Sequence, residues 1–134
     1  MTARKLAEEW IHLGLGATAE PQPPFDGMEW FDRYSEAHAG DAQEARLVSQ
    51  YRFTQSWDMW EMHPHGAEVV ICTDGELTLI QDVDGKHVHT RLARGEYAIN
   101  PPGTWHTADV EGEAEALFIT AGIGTQHRPR DVDA

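Results

Sequence analysis

The chain has 134 residues, 40% of them hydrophobic and 25% charged, which is the size and composition of one soluble domain with a single core. Its 23 acidic residues against 10 basic ones give a formal charge of −13, so phosphate backbones and anionic lipid are repelled, and neither nucleic acid nor a membrane is an expected partner. Cys72 is the single cysteine, which excludes an internal disulfide and a thiolate zinc cluster; within "VVICT" it reads as a buried, inert thiol.

The opening stretch "MTARKLAEEWIHLGLG" has no continuous apolar block of the signal-peptide kind. No run approaches the ~20 apolar residues of a membrane span, and a cytoplasmic location is the expectation. Leu6, Trp10 and Leu13 recur at helical spacing, with Thr2 in a capping position and Gly14 and Gly16 as terminators. The prolines of "AEPQPPF" then impose an extended connector. A second helix is predicted after Asp26, where Trp30, Phe31 and Tyr34 share a face and Gly40 closes the segment. Residues 1–42 are thus expected to form a helical arm lying outside a β-structure or across a dimer partner.

From Ala45 onward the period changes to two. The stretches "ARLVSQYRF", "DMWEMH", "AEVVIC", "ELTLIQ", "HVHTRL", "EYAIN", "TWHTA" and "AEALFIT" each read as a short strand. Asp-Gly in "TDGE" and "VDGK" predicts hairpin turns, because glycine supplies the positive φ such turns need. Short strands with this punctuation predict an all-β antiparallel barrel or jelly roll over residues 43–134.

Two segments concentrate polar side chains. In "WEMHPHGAEVVICTDG", Glu61 and His63 are two apart and share a strand face, and Glu68 follows five residues after His63. In "GEYAINPPGTWH", Gly95, Pro101, Gly103 and His106 punctuate a turn between strands. Trp57 and Met59 have the parity of Glu61, whereas Trp60 and Met62 face the other way and need a cover. His87 and His89 oppose the apparent core parity of Val88, Thr90 and Leu92, so both are expected at the surface. The tail "GIGTQHRPR" gathers His127, Arg128 and Arg130; it reads as a frayed basic end or as a flap that holds an anionic substrate. No Ser-His-Asp order and no reactive-cysteine setting is visible.

The two segments together resemble the cupin family, whose motifs are Gly-x5-His-x-His-x3–4-Glu-x6-Gly and Gly-x5-Pro-x-Gly-x2-His-x3-Asn. The second motif fits at Gly95, Pro101, Gly103 and His106, with Val110 in place of Asn. The first fits at His63, Glu68 and Gly75, but Glu61 stands where the family has its first histidine, and Gln55 where it has glycine. The resemblance covers roughly residues 45–120 and implies a double-stranded β-helix with a divalent metal, Fe, Mn, Ni or Zn, inside it. The implied metal positions are Glu61, His63, Glu68 and His106; in a second register, with a bulge after Pro64, His65 replaces Glu61. Trp57, Met59 and Tyr97 are the expected pocket lining. Two functions stay open: a metal-dependent enzyme, of oxygenase or isomerase type, on a small polar or carboxylate-bearing molecule, and a non-catalytic small-ligand binder or metal sensor. A homodimer is expected on the same resemblance.

Overall fold

The computed structural model describes residues 2–131. Its strands are β1 (Ile11–Gly14), β2 (Thr18–Pro21), β3 (Arg46–Phe53), β4 (Met59–Met62), β5 (Glu68–Val83), β6 (Lys86–Ala93), β7 (Tyr97–Asn100), β8 (His106–Asp109), β9 (Ala114–Thr120) and β10 (Gln126–Pro129), with one α-helix, α1 (Glu29–Ala37). All ladders are antiparallel. One wall runs β7–β5–β9–β3–β1–β2 and the other β6–β5–β8–β4–β10, so β5 belongs to both and the sheet rolls into a jelly-roll barrel.

The sharing of β5 overturns one predicted hairpin. "TDGE" does not reverse the chain: the register against β9 shifts between Cys72 and Asp74, and the strand continues past Gly75. Gly75 spends its positive φ of 67° on this bulge, and a β-carbon there would sit 2.2 Å from the Glu113 carbonyl oxygen. At "VDGK" the hairpin does form; Asp84 and Gly85 both have positive φ, as a two-residue turn of the I′ type requires, and Val83 pairs with Lys86.

The N-terminal segment departs further from its sequence pattern. Leu6, Trp10 and Leu13 do not share a helix; residues 11–14 are a strand that pairs with β3, and β2 pairs in turn with β1. The same residues satisfy period two: Trp10 and His12 are buried while Ile11 and Leu13 are half-exposed. An open ladder on β3 then decides the conformation, because β1 pairs along both of its edges, with β3 and with β2. The second helix does form as α1, with Trp30 buried and stacked on Tyr34 at 5.2 Å.

Two apolar clusters result. One fills the barrel with Val70, Cys72, Leu77, Leu92, Ala108 and Phe118, and Val110, the residue in the Asn position, packs there too. The other joins Trp10, Trp30 and Leu47 beneath α1. Among the described residues no helix is long and apolar enough to cross a membrane.

Candidate metal centre

The centre lies where two cross-strand rows, one from each wall, face each other inside the barrel. In one row His127 of β10 stands opposite Glu61 of β4, Glu61 opposite His106 of β8, and His106 opposite Gln81 of β5. In the other, Asn100 of β7 and Thr120 of β9 flank Glu68 of β5. His63, just beyond β4, completes the set; Gly103, whose φ of 78° permits the Pro-Pro-Gly turn, donates its N–H to the His63 carbonyl at 2.9 Å. The turn of the second motif therefore fixes the backbone of the first.

Glu68 is the centre of this arrangement. Its Oε2 lies 3.2 Å from His63 Nε2 and its Oε1 3.1 Å from His106 Nε2. Asn100 Nδ2 donates to Oε1 at 3.1 Å and the Thr120 hydroxyl to Oε2 at 2.6 Å. Gln81 in turn donates to Asn100 Oδ1 at 2.8 Å, which fixes the amide's orientation. Burial would push the Glu68 carboxyl up, but the His106 and His63 imidazoles outweigh it and hold the group well below the usual carboxylate range.

The tautomers of both imidazoles follow from their outer neighbours. The Thr125 hydroxyl donates to the Gly122 carbonyl at 2.8 Å, so its oxygen accepts from His63 Nδ1 at 2.8 Å. The Thr104 carbonyl can only accept, so His106 Nδ1 also carries a proton, at 3.2 Å. Each Nε2 is left as the inward donor atom. Both Nε2 atoms are fully buried and neither makes a hydrogen bond, although Glu68 is so close. Left bare, these two nitrogens beside a buried carboxylate would cost about 1–3 kcal/mol each, so the site takes up either protons or a cation there. The residues present therefore fit a metal ion.

Glu61, His63 and His106 form a group that could hold a metal ion: Glu61 Oε1 is 3.9 Å from His106 Nε2, and the three offer ligand atoms all within 4.8 Å of one another, a group that does not include Glu68. Its other oxygen, Oε2, is 3.0 Å from His127 Nε2, and this contact raises the His127 pKa above its ordinary value. His63, Glu68 and His106 are buried while the Glu61 side chain is 28% exposed, so the centre opens on the Glu61 side. His65 is exposed in the turn after β4, its ring against Gly124, and is not among the clustered donors.

Of the expected lining, Trp57 lies 6.3 Å from the His106 ring and packs on the core, and Met59 is half-buried on β4. Tyr97 does not line the pocket. It is 65% exposed on the outer face of β7, because Asn100 and Ala98 take the inward parity. Trp60 finds its cover within the chain, from Arg128 at 5.4 Å and the His87 ring at 5.0 Å. The basic tail is strand β10, not a flap. Arg128 stacks on Trp105 and pairs with Asp82, while Arg130 pairs with Asp109 and donates to the Trp57 and Ala108 carbonyls.

A second group of metal-type donors, His12, His38 and Asp41, meets the same distance condition. Its geometry is that of a hydrogen-bonded clamp. His12 Nδ1 and Nε2 each lie 2.6 Å from a partner, Tyr34 and Asp41, and the His12 and His38 rings stack at 3.6 Å. Lone pairs in two stacked ring planes cannot converge on one ion.

Residues that the sequence pattern did not single out as site members are Asn100, Thr120, Gln81 and Thr125. Cross-strand register, invisible in any one strand, brings Asn100 and Thr120 to Glu68, and Gln81 reaches Asn100 across the barrel, while Thr125 reaches His63 from the segment between β9 and β10.

The description "Cupin domain" belongs to the family model that matches residues 54–122. Among solved structures the chain is similar to Peruvianin-I, a cysteine peptidase from Thevetia peruviana latex, at 22% identity over 64% of this chain and 57% of that one, with a TM-score of 0.54. It is also similar to an oxalate oxidase, at 19% identity over 60% of this chain and 44% of that one, with a TM-score of 0.53. It thus spans about half the length of these structures, and at such identities the likeness is one of fold. No curated protein matches the sequence. With half of its residues under that family model and its strands rolled into the corresponding barrel, the chain belongs to the cupin family.

Proposed function

We propose that Glu61, His63, Glu68 and His106 hold a divalent ion, Fe, Mn, Ni or Zn, and that the protein is a metal-dependent enzyme, of oxygenase or isomerase type, on a small polar or carboxylate-bearing molecule. The carrying observation is the pair of buried Nε2 atoms, without hydrogen bonds, that flank the Glu68 carboxylate. A bound ion supplies Lewis acidity toward a carbonyl or a water ligand. Around it, Asn100 and Thr120 aim Glu68, Thr125 and Thr104 fix the imidazoles, and Trp57 and Phe118 keep one wall dry. The Tyr51 phenol stays protonated, first through burial and then through the charge of Glu61, so it remains a hydrogen-bond donor. The test is titration of chelator-treated protein with Mn²⁺, Fe²⁺, Ni²⁺ and Zn²⁺ while following the melting temperature. A gain of several degrees with at least one ion supports the reading, and no gain with any of them refutes it.

The alternative, a non-catalytic small-ligand binder or metal sensor, is favoured by the His127 hydrogen bond that ties the mouth carboxylate, Glu61, in place. Tightly held Zn²⁺ with no exchangeable water would select it; redox-active iron would select the enzyme.

The proposed macromolecular partner is a second copy of the chain. Trp60 is already covered, so a different face serves. On the outside of one wall the ladder aligns Ile99, Val69, Ile119, Val48, Ile11 and Pro21 in one row across six strands, with Tyr97, Ile71 and Leu117 in the next. None of these side chains belongs to either core cluster. The row spans about 24 Å at ordinary strand spacing. It forms the apolar centre of an interface whose polar surround brings it to the roughly 800 Å² per partner that a stable dimer needs. Being uncharged, the row offers nothing to a polar ligand, whereas an equally twisted copy matches it about a two-fold axis. Sedimentation of the native chain and of Ile119→Lys decides: a dimer that the substitution splits supports the pairing, and a native monomer overturns it.

A further inference from the structure

Resting on the metal-centre reading above, we infer that the ligand this centre takes is a neutral polar molecule, and that Glu61 is the residue that discriminates against anions.

The argument is one of charge. His63 and His106 enter as neutral imidazoles, since Thr125 and Thr104 hold their protons at Nδ1 and leave Nε2 bare. Glu68 presents its carboxylate to both Nε2 atoms, at 3.2 and 3.1 Å, and Glu61 adds a second carboxylate beside them. Two carboxylates cancel the charge of a divalent ion, so the loaded centre is neutral. With an uncharged donor at position 61 it would be +1 and would attract a carboxylate ligand.

Nothing else in the barrel restores positive charge. All 10 lysine and arginine side chains fall among the described residues, and none is buried. Arg128 of β10 and Arg130 just after it are engaged elsewhere: Arg128 on Trp60, Trp105 and Asp82, Arg130 on Asp109 and two carbonyls. His127, at the mouth, spends its Nε2 on Glu61. An anion entering from that side would meet the Glu61 carboxylate, whose neighbour His127 is already paired with it, and in a poorly solvated mouth like charges a few ångströms apart repel strongly. A hydroxyl, carbonyl or amide carries no such penalty.

The probe pair is lactate and lactamide, alike in shape and donor atoms and different in charge. Each is titrated into the Mn²⁺-loaded native protein and Glu61→Gln at pH 8, at saturating Mn²⁺, with binding read from the fall in water-proton relaxation as metal-bound water is displaced. Native protein is expected to bind lactamide at least as tightly as lactate, and Glu61→Gln to gain about 10-fold or more for lactate with lactamide little changed. Lactate binding 10-fold tighter than lactamide to the native protein, or no lactate gain in Glu61→Gln, overturns the inference. A native protein that takes up no Mn²⁺, Fe²⁺, Ni²⁺ or Zn²⁺ overturns the metal-centre reading itself and removes this inference with it.

Discussion

Thr125 accepts a hydrogen bond from His63 across 62 positions of sequence, and the same hydroxyl is committed as a donor to Gly122. That commitment decides which nitrogen of His63 faces inward. A threonine in the short segment between β9 and β10 thereby prepares a donor atom that the β4 end presents.

Thr125→Val keeps the shape and removes the acceptor. We expect metal affinity to fall about 10-fold, as for other outer partners of ligating histidines, and Thr125→Ser to retain it. Calorimetric titration with Zn²⁺ or Mn²⁺ measures both variants, and the melting temperature of metal-free Thr125→Val should fall as well, because His63 Nδ1 and the Gly122 carbonyl each lose a partner.

The pH dependence of the metal-free protein has a definite sign. Burial lowers the His106 pKa but Glu68 more than compensates, so its folded value lies above 6.5; the stability it contributes is complete below 6.5 and is lost as pH rises through the folded value. Glu68 is held below its ordinary 4.5, so its contribution is present above 4.5 and is lost as pH falls through the folded value. Metal-free protein is therefore expected to melt highest between about pH 4.5 and 6.5. The increment added by a metal ion should grow with pH, since the ion displaces protons from the same nitrogens. Melting scans from pH 4 to pH 9, with and without Zn²⁺, check both trends.

Asn100→Asp replaces an amide that donates to Glu68 with a second carboxylate against a buried one. We expect a loss of about 2–4 kcal/mol in urea unfolding at neutral pH, shrinking under acid as one of the pair takes a proton. Asn100→Ala, which leaves one acceptor unfilled, should cost less.

Gly66 lies in the turn between β4 and β5 without a positive φ, yet a β-carbon there would meet the Ala121 β-carbon at 2.4 Å. Gly66→Ala must push that turn outward and carry His63 with it. The expected result is about 1–3 kcal/mol lost in stability, together with weaker metal binding in the same titration.

Much of the barrel could be read from the chain, because strand parity and turn glycines are local signals, whereas the grouping of Glu61, His63, Glu68 and His106 comes from the resemblance of two motifs to the cupin family. Parity put Glu61 and His63 on one face, and Gly103 marked the turn before His106. What escaped was set by register or by competition between two periods. Asn100, Thr120 and Gln81 are single polar residues in ordinary strands, and only pairing brings them to Glu68 or to each other. Trp10 to Leu13 suits either a helix or a strand, and the free edge of β3 settles it. At Asp74-Gly75 the glycine's conformational freedom serves a bulge in β5, where the dipeptide alone suggests a reversal.

That bulge has a mechanical consequence. Glu68 near one end of β5 and Gln81 near the other belong to opposite walls, yet one unbroken backbone carries both. Prying the walls apart means straightening that backbone, so the cavity should yield as one stiff shell, and traffic of ions and ligands should pass the Glu61–His127 gap. Amide exchange along residues 68–83 should accordingly be among the slowest in the molecule, with that of 122–129 far quicker.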